Sequence, residues 1–249
     1  MHRFFVPTGN IISDNVKLDG AVVHQIGNVL RARSGDRVVL LDNSGWEYTV
    51  ILEKVSPHEV IGRVIEKLVA TGEANVEITL YQAVLKSERF EFVLQKGTEL
   101  GVTNFVPVLC ARTVPKYREF ERLRNRYNRW QRIVSEAAEQ SHRGKLPVLH
   151  PPIEFFTACN IVEDLAIIAW ENEQMLGLRE TLTKWKRVNS KNSFSIFTGP
   201  EGGFTVQEIN IASDNGIVPV TLGQRILRAE TAAITTVSAI MYEYGELGS

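Results

Sequence analysis

The feature that most restricts this chain is a change of rhythm at Thr71-Gly72-Glu73. Before it, the runs 37–41, 46–52 and 59–65 are short and rich in β-branched and aromatic residues. Turn signals separate them at Ser34-Gly35-Asp36, Asp42-Asn43-Ser44-Gly45 and Ser56-Pro57. Short strands so closely spaced predict a small β-barrel, with a short helix over 20–32. After the break, strand patterns over 76–84, 104–110, 164–170, 194–198 and 217–221 alternate with helical ones. That alternation predicts an α/β sheet. The expected division is therefore 1–72 and 73–249.

Helical periodicity picks out three faces. The first helix of the second part carries Phe90, Val93, Leu94, Gly97 and Gly101 on one side. A second, over 118–140, repeats Phe120, Leu123, Tyr127, Trp130, Val134 and Ala137, with Arg118, Arg122, Arg126 and Arg129 on the adjoining stripe. The last, over 229–244, presents Ala233, Thr236, Val237, Ile240 and Tyr244 and has few charges, which suits a large core or a subunit interface.

The net charge of -1 conceals an asymmetry. Residues 111–145 hold ten Lys/Arg and four acids, an excess of +6, and the remainder carries -7. One local basic face fits a phosphate-backbone partner, although a solvated helix face would look the same. With 249 residues, 44% hydrophobic and 23% charged, a disordered or fibrous chain is excluded. Two cysteines, Cys110 and Cys159, make no disulfide scaffold and no zinc-binding CxxC. The five histidines lack metal spacing, so no metal is expected; of them, only His142 is read as RNA-facing. The start lacks the apolar run of a signal peptide, and no stretch approaches the ~18 apolar residues of a membrane span. A soluble cytoplasmic protein with no membrane partner is the expectation.

Two strand-to-loop-to-helix edges could carry chemistry. In 195–205, a strand enters Thr198-Gly199-Pro200-Glu201-Gly202-Gly203, and Thr205 with Glu208 forms a candidate capping box. Glycines free backbone N–H groups for a ligand beyond a strand's carboxyl end. The pattern is neither GxGxxG nor a P-loop, and a ligand-free β–α turn would also produce it. The absent dinucleotide fingerprint counts against a nicotinamide oxidoreductase. In 217–233, a strand enters Leu222-Gly223-Gln224-Arg225-Ile226-Leu227-Arg228. Its two arginines either reach solvent, meet an anion, or, for Arg228, pair with Glu230.

Four blocks taken together resemble the RsmE family: GPEGG at 199–203, LGxRILRAETA at 222–232, KxERFExxxxKxTELGV at 86–102 and SEAAEQSxR at 135–143. HRFFVP at 2–7, and the stretch from His24 through Val29-Leu30-Arg31 to Gly35-Asp36, resemble that family's RNA-binding domain. The resemblance spans essentially the whole chain. It implies an N-terminal PUA-like β-barrel over 1–72 and a SPOUT α/β methyltransferase domain over 73–249 with a C-terminal deep trefoil knot. Periodicity alone would not suggest a knot, and general topology rules count against one. It also implies a homodimer that uses S-adenosylmethionine to methylate N3 of one uridine in 16S rRNA of the small ribosomal subunit.

On that resemblance, Thr198, Gly199, Pro200, Gly203, Leu222, Gly223, Ile226, Leu227 and Thr231 are expected to bind the cofactor. Arg228 is expected to stabilise the uridine anion, with Glu201 accepting the proton or orienting the arginine. Arg3, Arg31, Arg33, Lys86, Arg89, Arg143 and Arg225 are expected to hold RNA. Two rival readings remain: 2′-O-ribose methylation by a related SPOUT enzyme, and a non-catalytic ribosome-assembly RNA-binding factor.

Overall fold

A computed structural model describes residues 1–113, 120–162, 165–188 and 192–248. The chain divides into two compact units, Met1–Glu73 with Ser135–Leu146, and Ala74–Val134 with the residues from Pro147 onward. No described helix is long and apolar enough to cross a membrane.

The first unit runs through β1 (Arg3–Phe5), β2 (Ile11–Ile12), β3 (Asn15–Leu18), α1 (Gly20–His24), β4 (Arg37–Leu41), β5 (Trp46–Val55) and β6 (Val60–Val69). A π-helical turn over Gln25–Val29 extends α1. The strands form a six-stranded sheet in the order β1-β4-β5-β6-β3-β2. Only the β1–β4 pair is parallel. The ladder is an open path from β1 to β2 and not the closed ring of a simple barrel. Register shifts at Thr49/Val50 and Leu52/Lys54 bend β5 along β6. At the bend, a Cβ on Gly62 would come 2.6 Å from Val50 Cγ1 and 2.8 Å from the Ile51 carbonyl oxygen. Only glycine fits there. Alternate residues such as Leu18, Leu40, Val50 and Leu52 then close over Ile26 as the core.

The segment Ser135–Leu146 joins this unit through two carboxylates. Glu139 accepts the Phe5 backbone N–H at 3.2 Å. Burial pushes its carboxyl up to about 7, opposed by that hydrogen bond and aided by Glu136. Glu73 receives Arg143 Nη2 at 2.7 Å and Nε at 3.2 Å, and the Gly144 N–H at 2.9 Å.

The second unit contains β7 (Glu77–Ala83), α2 (Ser87–Glu99), β8 (Asn104–Leu109), α3 (Phe120–Gln140), β9 (Val148–Leu149), β10 (Ile153–Glu154) and α4 (Phe155–Asn160). It continues through β11 (Leu165–Ala169), α5 (Leu178–Val188), β12 (Ser193–Thr198), α6 (Val206–Asp214), β13 (Val218–Val220) and α7 (Ala229–Glu243). The last six residues of α3, from Ser135 to Gln140, belong to the first unit. Every pairing in the seven-stranded sheet is parallel, in the order β10-β8-β7-β12-β11-β13 with β9 beside β8. Both faces are covered. Leu80 and Ile196 pack beneath α2, α3, α5 and α7, while their neighbours Tyr81 and Phe197 face α4 and α6. The rings of Tyr81 and Phe197 stack at 4.4 Å. Burial on two faces explains why β11 reads as an unbroken apolar run and why the polar Gln82 of β7 and Ser195 of β12 are buried as well.

The helical faces lie where the periodicity puts them. Phe90, Val93, Leu94, Trp130, Val134, Val237 and Ile240 are all buried. Arg118 and Asp164, and the side chains of Phe120, Arg122 and Leu123, lie outside the described residues.

Candidate active site

Strand order decides where the site forms. β11 lies between β12 and β13, with Ile168 beside Phe197 and Ala169 beside Val220. Three parallel strands therefore end side by side at one edge of the sheet, the edge where open α/β sheets receive ligands. A cleft of about 100 Å³ opens there. Gly199, Gly203 and Phe204 wall one side, and the loop from Thr221 to Leu227 walls another. Ala169, Trp170 and Glu171 form a third wall, and Ala229 and Ala232 of α7 complete the lining.

The glycine turn is braced from several directions. The Gly203 N–H donates to the Pro200 carbonyl at 2.9 Å. The Thr205–Glu208 capping box is present in full, and Glu208 also accepts the Ala111 N–H at 2.8 Å. Arg112 Nη1 donates to the Gly202 carbonyl at 2.6 Å and reaches the Phe204 carbonyl at 3.5 Å. The Glu201 carboxylate accepts the Lys86 N–H at 3.2 Å and lies 3.6 Å from Arg89 Nη1. Gly203 holds φ at +67° against the Glu171 carboxylate. The opposite loop is more open, with Ile226 87% exposed and Leu222 and Leu227 half-buried.

Of the residues expected to bind the cofactor, Gly199, Gly203, Leu222, Gly223, Ile226 and Leu227 line the cleft. Three do not. Thr198 is buried one layer below and donates its hydroxyl to Gln82 Oε1 at 2.6 Å. Pro200 is buried within the turn. Thr231 is exposed, because α7 turns Ala229 and Ala232 inward and leaves Thr231 about 100° around the helix. Arg225, expected on RNA, lines the cleft. Arg228 is exposed at the N-cap position of α7. Glu230 lies 3.9 Å from Arg89 Nε, so its cation comes from α2 and not from Arg228.

The expected RNA contacts divide by burial. Arg31, Arg33 and Lys86 are exposed, as is His142. Arg3 is half-buried and ion-paired with Glu47. Arg143 is only 3% exposed and bound to Glu73. A guanidinium buried on its own carboxylate cannot face a phosphate, so Arg143 holds the fold together. On α3, Arg129 is bidentate to Glu91 at 2.6 and 2.8 Å, which neutralises part of the basic stripe.

Sequence reasoning missed the Ala169-Trp170-Glu171 wall and the Arg112 brace. The end of a strand was visible near residue 170, but its place between β12 and β13 was not.

A family model described as an RNA methyltransferase domain matches residues 72–241. Another, described as an RNA methyltransferase PUA domain, matches residues 18–65. The ribosomal RNA small subunit methyltransferase E of Synechocystis is 36% identical over 96% of this chain and 77% of its own length. The Bacillus subtilis protein of the same name is 31% identical over 98% of this chain and 97% of its own. A crystal structure of the Neisseria gonorrhoeae enzyme of that name, bound to S-adenosyl methionine, superposes with a TM-score of 0.87 at 31% identity, covering 98% of both chains. With an α/β unit, a PUA-like N-terminal domain and relatives matched almost end to end, the chain belongs to the ribosomal RNA small subunit methyltransferase E family.

Proposed function

We propose that this protein is an S-adenosylmethionine-dependent methyltransferase that modifies N3 of a uridine in 16S rRNA of the small ribosomal subunit. The observation that carries the reading is the cleft where β11, β12 and β13 end, walled by the glycine turn and the 221–227 loop. Its lining fits the cofactor. Trp170, Leu222 and Leu227 supply apolar surface for an adenine, the loop backbone supplies hydrogen bonds, and the Glu171 carboxylate suits a ligand carrying positive charge. Gly199, Gly203, Gly223 and Ile226 complete the set that would hold it. The cofactor contributes a methyl group on a cationic sulfur.

The chain must place the uridine and manage its proton. N3 lies on the base-pairing edge, so the base has to be unpaired or extruded. Loss of the N3 proton puts negative charge on O2 and O4, and the exposed guanidinium of Arg228 is the group assigned to receive it. Glu201, held by the Lys86 N–H and Arg89, is assigned to accept the proton or to orient Arg228. Arg31, Arg33 and Lys86 are the exposed cations assigned to phosphate.

The same reading takes residues 1–72 as the RNA-binding domain and 73–249 as the methyltransferase domain. It takes the placement of β11 between β12 and β13 as part of a deep trefoil knot, the working unit as a homodimer, and the cytoplasm as its location. The test incubates the protein with labelled S-adenosylmethionine and either free 16S rRNA or small subunits, followed by nucleoside mass analysis. 3-Methyluridine is the expected product. A 2′-O-methyl nucleoside would mean ribose chemistry, and RNA binding without transfer would mean an assembly factor.

A further inference from the structure

We propose that Arg89 is a positioning residue of the methyl-transfer site, tying the glycine-turn carboxylate Glu201 to the first turn of α7 through Glu230; the inference rests on the methyltransferase reading above. Arg89 lies in the first turn of α2, where its N–H donates to the Lys86 carbonyl at 2.9 Å. Its Nη1 is 3.6 Å from Glu201 Oε1 and its Nε is 3.9 Å from Glu230 Oε1. Both carboxylate side chains are shielded, at 21% and 14% exposure, while that of Arg89 is 42% exposed. The second oxygen of Glu230 is buried and has no hydrogen-bond partner among the described residues.

Two acids thus converge on one guanidinium. Its rigid fork can direct separate N–H groups at separate carboxylates, which a lysine ammonium on a single stem does less well. Without it, Glu201 and Glu230 would both lose the guanidinium nearest them, and Glu230, whose side chain is only 14% exposed and whose Oε2 has no hydrogen-bond partner among the described residues, would be a partly buried charge without that cation. Arg89 does not line the cleft, but both of its partners adjoin residues that do. Glu201 sits between Gly199 and Gly203, and Glu230 follows Ala229. The guanidinium therefore fixes the distance between two cleft walls from outside the cleft. Misplacing those walls should slow the chemical step more than it weakens the grip on RNA.

The test compares wild type with Arg89→Ala, Arg89→Lys and Glu230→Gln. It measures methyl transfer at saturating cofactor and RNA, KM for RNA, the salt dependence of RNA binding, and melting temperature. Arg89→Ala should lower kcat by about tenfold to a hundredfold, with KM for RNA and the salt slope unchanged. Arg89→Lys should fall between it and wild type. Glu230→Gln, which removes no positive charge, should reproduce the loss in kcat. Should Arg89→Ala melt below the assay temperature, the other two variants decide the matter. An unchanged kcat in Glu230→Gln overturns the proposal. So does an intact kcat in Arg89→Ala with a salt slope reduced by about 0.7–0.9, the mark of one phosphate no longer neutralised. If the wild type transfers no methyl group, the methyltransferase reading falls and this inference falls with it.

Discussion

Gly203→Ala puts the glycine turn under the most direct strain. Residue 203 has φ of 67°, a left-handed conformation that costs a residue with a Cβ about 1–2 kcal/mol. The added methyl would also collide with Glu171 Oε1 and lie 3.1 Å from its Cδ. Glu171 is exposed and the collision is with the tip of a flexible side chain, so the carboxylate can swing away and the backbone cost dominates. If the turn keeps its shape, that cost appears as stability. At about 2–4 °C per kcal/mol for a chain of this size, Tm should fall by about 2–8 °C. If the turn relaxes to negative φ instead, the Gly203 N–H leaves the Pro200 carbonyl, now 2.9 Å away, and the cleft wall shifts. The same free energy then appears as about a fivefold to thirtyfold rise in the Kd for S-adenosylmethionine. Calorimetric titration and thermal melting measure both. The double variant Glu171→Ala/Gly203→Ala should match Gly203→Ala in melting temperature, because the clash contributes little; the match is one of melting alone, since Glu171 itself lines the cleft. An unchanged Tm together with an unchanged Kd would refute the claim that this turn shapes the cofactor cleft.

Four further outcomes follow from the geometry. Arg112→Ala removes the donor to the Gly202 and Phe204 carbonyls; losing about 1 kcal/mol of turn stability should raise the cofactor Kd about fivefold. Arg143→Ala strands the Glu73 carboxylate and should cost about 3 kcal/mol in a urea titration, with the salt slope of RNA binding unaltered. The Arg31→Ala/Arg33→Ala pair should leave the melting curve alone, since both side chains are exposed; the salt slope should drop by about 0.7–0.9 for each phosphate that an arginine had neutralised. Glu139 has a folded-state value of about 7, raised chiefly by burial. A raised carboxyl favours folding when protonated, so its contribution is present below its unfolded value and fades as pH rises through 7. Melting temperatures between pH 5 and pH 8 should therefore fall less in Glu139→Gln than in wild type.

Periodicity reached the local elements because each helix and strand carries its own record of burial. Phe90, Val93 and Leu94 recur at helical spacing, and they are buried where α2 meets the sheet. The capping box could be read from Thr205 and Glu208 because both of its partners lie within one turn of α6. The expected cofactor residues that line the cleft, such as Gly203 and Leu222, sit in the two loops the motifs marked. Thr231 belongs to the same block, but a block has no inside or outside until the helix is packed. Arg143 misled for a related reason. A basic residue in a basic segment looks solvent-facing until a distant acid, here Glu73, is brought against it.

What the amino-acid order settled by itself was the kind of chain: a β-rich unit, then alternating strands and helices, with two glycine-bearing strand ends. Such features are encoded within ten or so neighbouring residues, in spacing and turn chemistry. The placement of β11 between β12 and β13 was decided only in three dimensions. So were the third wall at Trp170 and Glu171, and the arginines that brace Gly202 and Glu201 from α2 and the β8 loop. Those pairings join residues about ninety to a hundred and fifteen positions apart, and nothing in a local pattern records which distant segments will share a sheet edge. Parallel strands need crossover connections, so the partners that complete this site lie far along the chain.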